Sequence, residues 1–198
     1  MKRFAARIDG RRLLLRELSL WDMWPIIRLL RNKDLTRFHV APVRAFRWPR
    51  LVRKLIRLFR LAHTYSLAFW HRLRPGATRG QYKLAIVYKD TGQVVGVVTL
   101  TDVFFDKDCA SIGIWVGRDF WAKGVMYEAE ALIIRWAFET LGLERISGNV
   151  HPENVASIIT MKKLGFDVVD AYGQVKDNTG KTVDMWKVVL SRERFKAA

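Results

Sequence analysis

The sequence predicts a mixed α/β fold in which a mostly antiparallel sheet is flanked by helices. Segments of alternating or continuous apolar residues, typical of strands, are interspersed with segments whose apolar residues recur at helical spacing. Turn residues separate these segments, as in Asp90-Thr91-Gly92 between two predicted strands. Because 50% of the 198 residues are hydrophobic, we expect a single domain over residues 1–198 with a substantial core.

The chain is predicted to open with a strand and a helix. Residues 12–17 are apolar between arginines and predict the strand. Ser19 and Asp22 form a helix-start signature, and the helix that they begin is expected to reach about Arg31. Residues 33–48 contain a proline and are expected to be irregular.

Residues 44–74, which we call the basic segment, predict an amphipathic helix with an arginine-rich face. Pro49 suits a first helical position, and apolar residues recur at helical spacing between residues 51 and 69. The opposite arc carries Arg50, Arg53, Lys54, Arg57 and Arg60. Residues 1–80 hold 20 Lys/Arg and 4 Asp/Glu, whereas residues 81–198 hold 15 of each sign, so the whole net charge of +16 arises in the first part. This asymmetry indicates one electropositive face.

The second half of the chain predicts further strands and helices in alternation. Strands are expected at residues 82–89, 93–100, 110–117, 145–151, 166–172 and 182–190. Helices are expected at residues 125–141 and 154–164, each followed by a glycine that can end it, Gly142 and Gly165.

Composition argues against several classes of protein. One cysteine, Cys109, excludes an internal disulfide and suits a reducing, cytoplasmic compartment. We interpret it as a structural thiol rather than an acetyl carrier, because it stands beside Asp108 and not beside a basic residue. The sequence shows no secretory signal, no apolar run long enough to span a membrane and no Cys/His cluster with metal-ligand spacing.

Residues 121–128 (WAKGVMYE) connect a predicted strand to the start of a predicted helix. The first N–H groups of a helix have no partner within it and carry partial positive charge, so they bind phosphate readily. Gly124 lets a ligand approach the backbone closely. Taken alone, the pattern favours an ordinary strand-to-helix turn, since many such turns contain one glycine and bind nothing.

A second block makes the first more specific. Asn154 and Ser157 stand three residues apart at a predicted helix start, and residues 163–166 read KLGF. Together the two blocks resemble the GNAT superfamily of N-acetyltransferases, and within it the ribosomal-protein N-acetyltransferase branch. The resemblance covers residues 82–190 well and residues 12–35 loosely. It implies the GNAT fold, with acetyl-CoA as the acyl donor and no metal.

The resemblance also implies which residues contact acetyl-CoA. They are Ile114, Trp115, Val116, Trp121, Lys123, Gly124, Val125, Met126, Tyr127, Asn154 and Ser157. The strand at residues 114–116 is expected to splay from its neighbour and to offer backbone groups to the pantetheine arm. Ala122 stands where the family has glycine and Tyr127 where it has a small hydroxyl residue, but the backbone donors are unaffected. An alternative role for Asn154 is to cap its helix.

Several residues are candidates for the chemistry. By resemblance, Ser157 lies near the thioester sulfur, where its hydroxyl can protonate the departing thiolate. His39 and Asp102 fall in regions that border the acceptor site in the family and are candidate bases, as is His151. Glu128 is better explained as a first-turn carboxylate that offsets the helix dipole.

The predicted activity is direct transfer of acetyl from acetyl-CoA to a primary amine, foremost a protein N-terminal α-amino group. Polyamines and aminoglycosides are alternative acceptors. The basic segment has four interpretations: a solvated face, contact with RNA such as a ribosomal surface, contact with an anionic membrane, and steering of an acidic acceptor. An RNA- or membrane-associated acyl-CoA-binding protein and a homodimer also stay open.

Overall fold

The computed structural model describes residues 6–36, 38, 80–101, 103, 109–176 and 181–195, so the basic segment lies outside the described residues. The strands are β1 Arg7–Asp9, β2 Leu13–Glu17, β3 Gln81–Tyr88, β4 Val94–Thr101, β5 Cys109–Val116, β6 Arg145–Val150, β7 Asp167–Lys176 and β8 Thr182–Ser191. The α-helices are α1 Met23–Leu30, α2 Lys33–Thr36, α3 Val125–Glu139 and α4 Val155–Leu164. Short 3-10 turns occupy Leu20–Asp22, Arg118–Phe120 and Arg192–Arg194.

Within the described residues, the strands form one sheet in the order β1-β2-β3-β4-β5-β6-β8-β7. Only the β5–β6 pair is parallel, and every other neighbouring pair of these strands is antiparallel. The mixed α/β prediction is therefore confirmed. None of the helices described is long and apolar enough to cross a membrane.

The two faces of the sheet carry different helices. Helices α3 and α4 pack against each other and contribute to the main apolar cluster, which includes Leu84, Ile133 and Ile146. Helix α1 packs on β4, and its Ile26 is the centre of a smaller cluster with Val87. Strands β3 and β4 contribute to both clusters because successive side chains point to opposite faces of the sheet.

The start of α1 follows the prediction closely. Ser19 caps the 3-10 turn that precedes α1, and the Asp22 carboxylate accepts the Ser19 N–H at 2.7 Å, which completes a capping box. The same buried carboxylate accepts two hydrogen bonds from the Arg16 guanidinium, at 2.6 and 2.8 Å. This pair ties the helix start to β2 and fixes which face of the helix turns inward.

Two short elements differ from the prediction. We expected irregular backbone at residues 33–36, but these residues form α2. The helical turn starts there because the Asn32 side chain accepts the Asp34 N–H at 2.9 Å. Strand β1 was not predicted, since three residues are too few to show a period. It pairs with β2 as a hairpin in which Ile8 lies opposite Leu15.

Helix α3 buries a carboxyl group that has no hydrogen-bond partner. Glu130 is 0% exposed, and among the described residues neither of its oxygens has a hydrogen-bond partner. Its helical neighbours Ile133 and Ile134 are themselves fully buried in the main cluster. Burial raises the pKa of Glu130 from its ordinary 4.5 to about 8, because the charged form loses hydration and gains no compensating contact.

We predict that Glu130→Leu stabilises the protein, and more so at alkaline than at acidic pH. Between pH 4.5 and about 8 the unfolded chain holds fewer protons at this position than the folded chain does. The unfolding free energy of the wild type should therefore fall across this window, by about 1.4 kcal/mol for each rise of one pH unit. Urea denaturation at pH 5 and pH 8.5 measures the difference.

Glu130→Gln is the matched control, because it removes the titratable proton and keeps a buried polar group. Glu130→Gln should make the unfolding free energy less dependent on pH. It should not raise the unfolding free energy at pH 5 as Glu130→Leu does. Equal gains for Glu130→Leu at both pH values would show that ionisation of this carboxyl does not limit stability.

Candidate active site

The sheet opens between its two parallel strands. Pairing of β5 with β6 begins at Cys109↔Arg145 and ends at Ile112↔Gly148. Beyond that point β5 stays paired with β4 as far as Val116, and β6 stays paired with β8 as far as Val150. The two strands therefore diverge toward their carboxyl ends and leave a gap, as predicted for residues 114–116.

Backbone groups of β5 face this gap. The Gly117 N–H donates to the Val95 carbonyl of β4 at 2.8 Å. Because hydrogen-bonding direction alternates along an antiparallel strand, Trp115 also bonds toward β4, whereas Ile114 and Val116 direct their N–H and C=O toward the gap. The Val116 carbonyl accepts the indole N–H of Trp121 at 2.7 Å. Ile114 and Val116 thus present backbone groups there, whereas the half-buried Trp115 side chain packs against the smaller cluster around Ile26.

The loop before α3 has the backbone conformation of a glycine-rich turn. Gly124 has φ +73° and Ala122 has φ +57°, so alanine adopts here the left-handed conformation that favours glycine. Helix α3 begins at Val125, and its first turn leaves the N–H groups of Val125, Met126 and Tyr127 without acceptors inside the helix. The Met126 and Tyr127 side chains pack against the main cluster. The Tyr127 ring is therefore directed toward the core.

Arg12 joins β2 to this loop, and sequence reasoning did not single it out. Its guanidinium donates to the Lys123 carbonyl at 3.0 Å and to the Glu128 carboxylate at 2.8 Å. The two partners are 111 and 116 residues away in sequence, so no local pattern could reveal them. The Lys123 ammonium donates to the Asp119 carbonyl at 2.8 Å, which holds it at the preceding 3-10 turn.

Glu128 fixes the first turn of α3. Its carboxylate also accepts the backbone N–H groups of Arg12 and Leu13, at 2.8 and 3.1 Å. Partial burial alone would raise the pKa of Glu128, but these bonds and the Arg12 charge outweigh it and lower the pKa. A carboxylate held by three donors is a poor proton acceptor, which supports its interpretation as a structural residue in the first turn.

The second predicted block begins α4 at the end of β6. Asn154 caps the helix, because its side-chain oxygen accepts the Ser157 N–H at 3.3 Å. The Ser157 side chain is buried. His151 is also buried, and its Nδ1 accepts the Glu153 N–H at 3.1 Å. The capping role of Asn154 uses its oxygen and leaves its amide N–H groups as the donors for a ligand.

Two helix starts therefore flank one gap. Strands β5 and β6 are parallel neighbours, so α3 and α4, which follow them, both begin at the same edge of the sheet. Helix N-termini carry partial positive charge, and the two together favour a ligand with negative charge at this edge. A gap of this kind can accept an elongated ligand, because backbone groups left without a neighbouring strand need hydrogen-bond partners.

Other predicted site residues are not tested by this geometry. His39, Asp102 and the arginine-rich face at Arg50, Arg53, Lys54, Arg57 and Arg60 lie outside the described residues. Cys109 is half-buried at the start of β5, with its Sγ 3.8 Å from the Ser147 hydroxyl. Within the part of the chain that the structure describes, no group of three or more His, Cys, Asp or Glu residues could hold a metal ion.

Comparison with known proteins identifies the family. Residues 12–167 match the model of the acetyltransferase (GNAT) domain. An uncharacterized N-acetyltransferase, p20 of Bacillus licheniformis, is 28% identical over 113 residues, which are 57% of this chain and 64% of that relative. The chain thus aligns with somewhat less than two thirds of that relative's length.

Solved structures show the same fold. Mycobacterium smegmatis RimJ in complex with CoA-disulfide matches with a TM-score of 0.75 at 21% identity, covering 98% of this chain and 91% of that one. Spermidine N-acetyltransferase from Vibrio cholerae, in complex with CoA and spermine, matches with a TM-score of 0.73 at 16% identity, covering 93% and 98%. The chain belongs to the GNAT acetyltransferase family, and the predictions of family and fold are confirmed.

We predict that Glu128→Gln destabilises the protein at neutral pH and removes a step in its acid unfolding. The lowered pKa means that the carboxylate stabilises the fold above pH 4.5, its ordinary pKa, and that this contribution is lost as pH falls through the folded-state pKa. The loss at pH 7 should be about 1–3 kcal/mol, since a charged acceptor is removed from several donors. Urea denaturation at pH 7 and pH 3 measures it.

Arg12→Ala and the double variant complete a thermodynamic cycle for this contact. If the two losses simply add, the Arg12–Glu128 pair does not stabilise the loop and its role in shaping the site is wrong.

Proposed function

We propose that this protein transfers an acetyl group from acetyl-CoA to a primary amine in a ternary complex. The observation that carries the proposal is the gap between β5 and β6 with a helix start on either side. The family membership agrees with it. The overall reaction converts acetyl-CoA and an amine into an amide and free CoA thiol.

The first turn of α3 suits the diphosphate of CoA. The N–H groups of Val125, Met126 and Tyr127 are supplied by the backbone, and Gly124 places no Cβ in front of them. The Arg12 guanidinium lies 3.4 Å from the point where a Cβ on Gly124 would stand, so it adds a positive charge beside this turn. The Lys123 ammonium is held at Asp119 and contributes to the general field rather than a directed contact.

The gap suits the pantetheine arm. The backbone groups of Ile114 and Val116 face the gap and can form hydrogen bonds with amides of the ligand. The ligand then takes the place beside β5 from which β6 has diverged. Across the gap, Asn154 can donate from its amide nitrogen. These contacts would hold the thioester between the strands and orient it for attack.

The chemistry requires a neutral amine, a donor to the carbonyl oxygen and a proton for the sulfur. An α-amino group has a pKa near 8, so a weak base is sufficient, and His39 and Asp102 remain its candidates. A backbone N–H on β5 can stabilise the developing oxyanion. Ser157, buried at the start of α4, is the candidate that returns a proton to the thiolate.

A protein N-terminus is the acceptor that we favour. The motifs resemble the ribosomal-protein branch, and the charge distribution agrees. A net charge of +16, all of it from residues 1–80, repels a polycation such as a polyamine and attracts an acceptor in an acidic context. The structural likeness to a spermidine N-acetyltransferase supports small amines as the second candidate class.

We predict that Gly124→Glu weakens acetyl-CoA binding at least about tenfold, since the carboxylate would stand where phosphate binds and like charges repel. Gly142→Glu is the matched control. Both glycines have positive φ, +73° and +69°, and they flank the opposite ends of α3. The two variants therefore share backbone strain and differ in the place of the new charge. Calorimetric titration with acetyl-CoA measures both.

Equal affinity for the two variants would remove the α3 start from the binding site. Loss of binding in both would show that strain rather than phosphate contact is responsible.

For the acceptor, we predict that peptides with a free N-terminus and acidic side chains release CoA thiol faster than matched N-acetylated peptides or spermidine. Thiol release with each compound at equal concentration measures the preference. Faster release with spermidine than with any peptide would replace the protein acceptor with a polyamine and leave the acyl donor unchanged.

A further inference from the structure

The outer face of α1, of the 3-10 turn before it and of the residue that ends it carries a stripe of aromatic and cationic side chains. Trp21, Trp24, Arg28 and Arg31 follow one another at intervals of three, four and three residues, so they lie along one side of the helix, and Leu20 adjoins them. Trp21 is 86% exposed, Trp24 77% and Leu20 63%, and both arginines are exposed. We call these five residues the Trp–Arg stripe.

The register of α1 fixes this exposure. Asp22 is held by Arg16, and Ile26, one turn later, is fully buried against the sheet. Trp21 and Trp24 must then point outward, because they lie on the opposite side of the helix. Exposure of the two indoles is therefore a consequence of the way in which α1 is anchored.

The size of the apolar patch marks it as an interaction surface. An aromatic side chain offers about 150–250 Å² of surface, so the two indoles alone expose roughly 300–400 Å². The largest apolar patch on a typical soluble monomer covers about 300–600 Å² and is often functional, so these indoles, together with Leu20, fall in that range.

The charge of the stripe selects the chemistry of the partner. Arg28 and Arg31 have no ion-pair partner among the residues described. Between residues 18 and 31 the one acidic side chain is Asp22, which is bonded to Arg16. The stripe therefore offers unpaired positive charge next to exposed indoles and complements an anionic surface.

Among anionic partners, a lipid bilayer fits better than a nucleic acid. Indole rings concentrate at the interface between headgroups and acyl chains, where arginine pairs with lipid phosphate. Leu20 gains from burial among acyl chains, whereas nucleic-acid bases recruit planar rings rather than aliphatic side chains.

We propose that the Trp–Arg stripe docks this protein on an anionic membrane surface. Leu20, Trp21 and Trp24 enter the interfacial region, and Arg28 and Arg31 contact lipid phosphates. The site is separate from the gap between β5 and β6, and the proposal does not depend on acetyl transfer. It places the partner face on described residues of α1, next in sequence to the basic segment but distinct from it.

Sedimentation with vesicles tests the proposal on the full chain. The protein should pellet with vesicles of phosphatidylcholine and about 30% phosphatidylserine and much less with phosphatidylcholine alone. Trp21→Ser/Trp24→Ser should lower the partition coefficient at least about tenfold, because it removes both indole rings and most of the apolar area that enters the interface. Val168→Ser/Val169→Ser is the matched control, since these residues are exposed on β7 and should leave binding unchanged.

A second variant, Arg28→Glu/Arg31→Glu, keeps the indoles and reverses the charge, and it should also lose binding to anionic vesicles. Circular dichroism and melting temperature establish that each variant is folded, and the charge-reversal pair decides the question if the tryptophan pair does not fold. Arg50→Ala/Arg53→Ala/Arg57→Ala tests the basic segment and should retain at least half of the wild-type partition.

Four results would overturn the proposal. In the first, the wild-type protein does not pellet with anionic vesicles. In the second, the stripe variants pellet as much as the wild type does. In the third, only the basic-segment variant loses vesicle binding. The fourth is a change of partner. If the stripe variants dissociate a dimer in analytical ultracentrifugation, or lose RNA binding while they keep vesicle binding, the stripe is an interface with a second copy or with RNA instead.

Discussion

The divergence of β6 from β5 is the constraint on which the rest of the site depends. A parallel pair that separates after Ile112 and Gly148 leaves backbone groups in the middle of a sheet without a strand to bond. One of these groups is satisfied within the chain, because the Trp121 indole N–H donates a hydrogen bond to the Val116 carbonyl. The remainder of the gap is open to an amide-bearing ligand, and the helices that follow both strands begin beside it.

The loop before α3 is shaped by contacts from a distant strand. Arg12 and Glu128 connect the start of β2 to the first turn of the helix, and the lowered pKa of Glu128 reflects the donors that surround it. This arrangement positions the N–H groups of the helix start while Ala122 takes a left-handed conformation that costs an alanine about 1–2 kcal/mol. The geometry of the loop is thus maintained by charge contacts rather than by glycine alone.

Local signals predicted most of the fold. Ser19 and Asn154 cap helices where the sequence places them, and Gly165 ends α4 with φ +99°. The divergence of the strands could not be derived from the residues, because both strands read as ordinary apolar runs, and only the family resemblance implied it. Contacts such as Arg12 with Glu128 join residues 116 apart, and the missing partner of Glu130 depends on packing in three dimensions. Periodicity cannot reveal either.

The Trp121 hydrogen bond has a consequence for ligand choice. Because the Val116 carbonyl already accepts the Trp121 indole N–H, the two gap-facing residues offer two N–H donors, but only the Ile114 carbonyl keeps both lone pairs for a ligand. A ligand that lies along β5 therefore fits this strand best when it offers more hydrogen-bond acceptors than hydrogen-bond donors. In this way the hydrogen bond from Trp121 sets the balance of donors and acceptors along the edge of β5 that a ligand would meet.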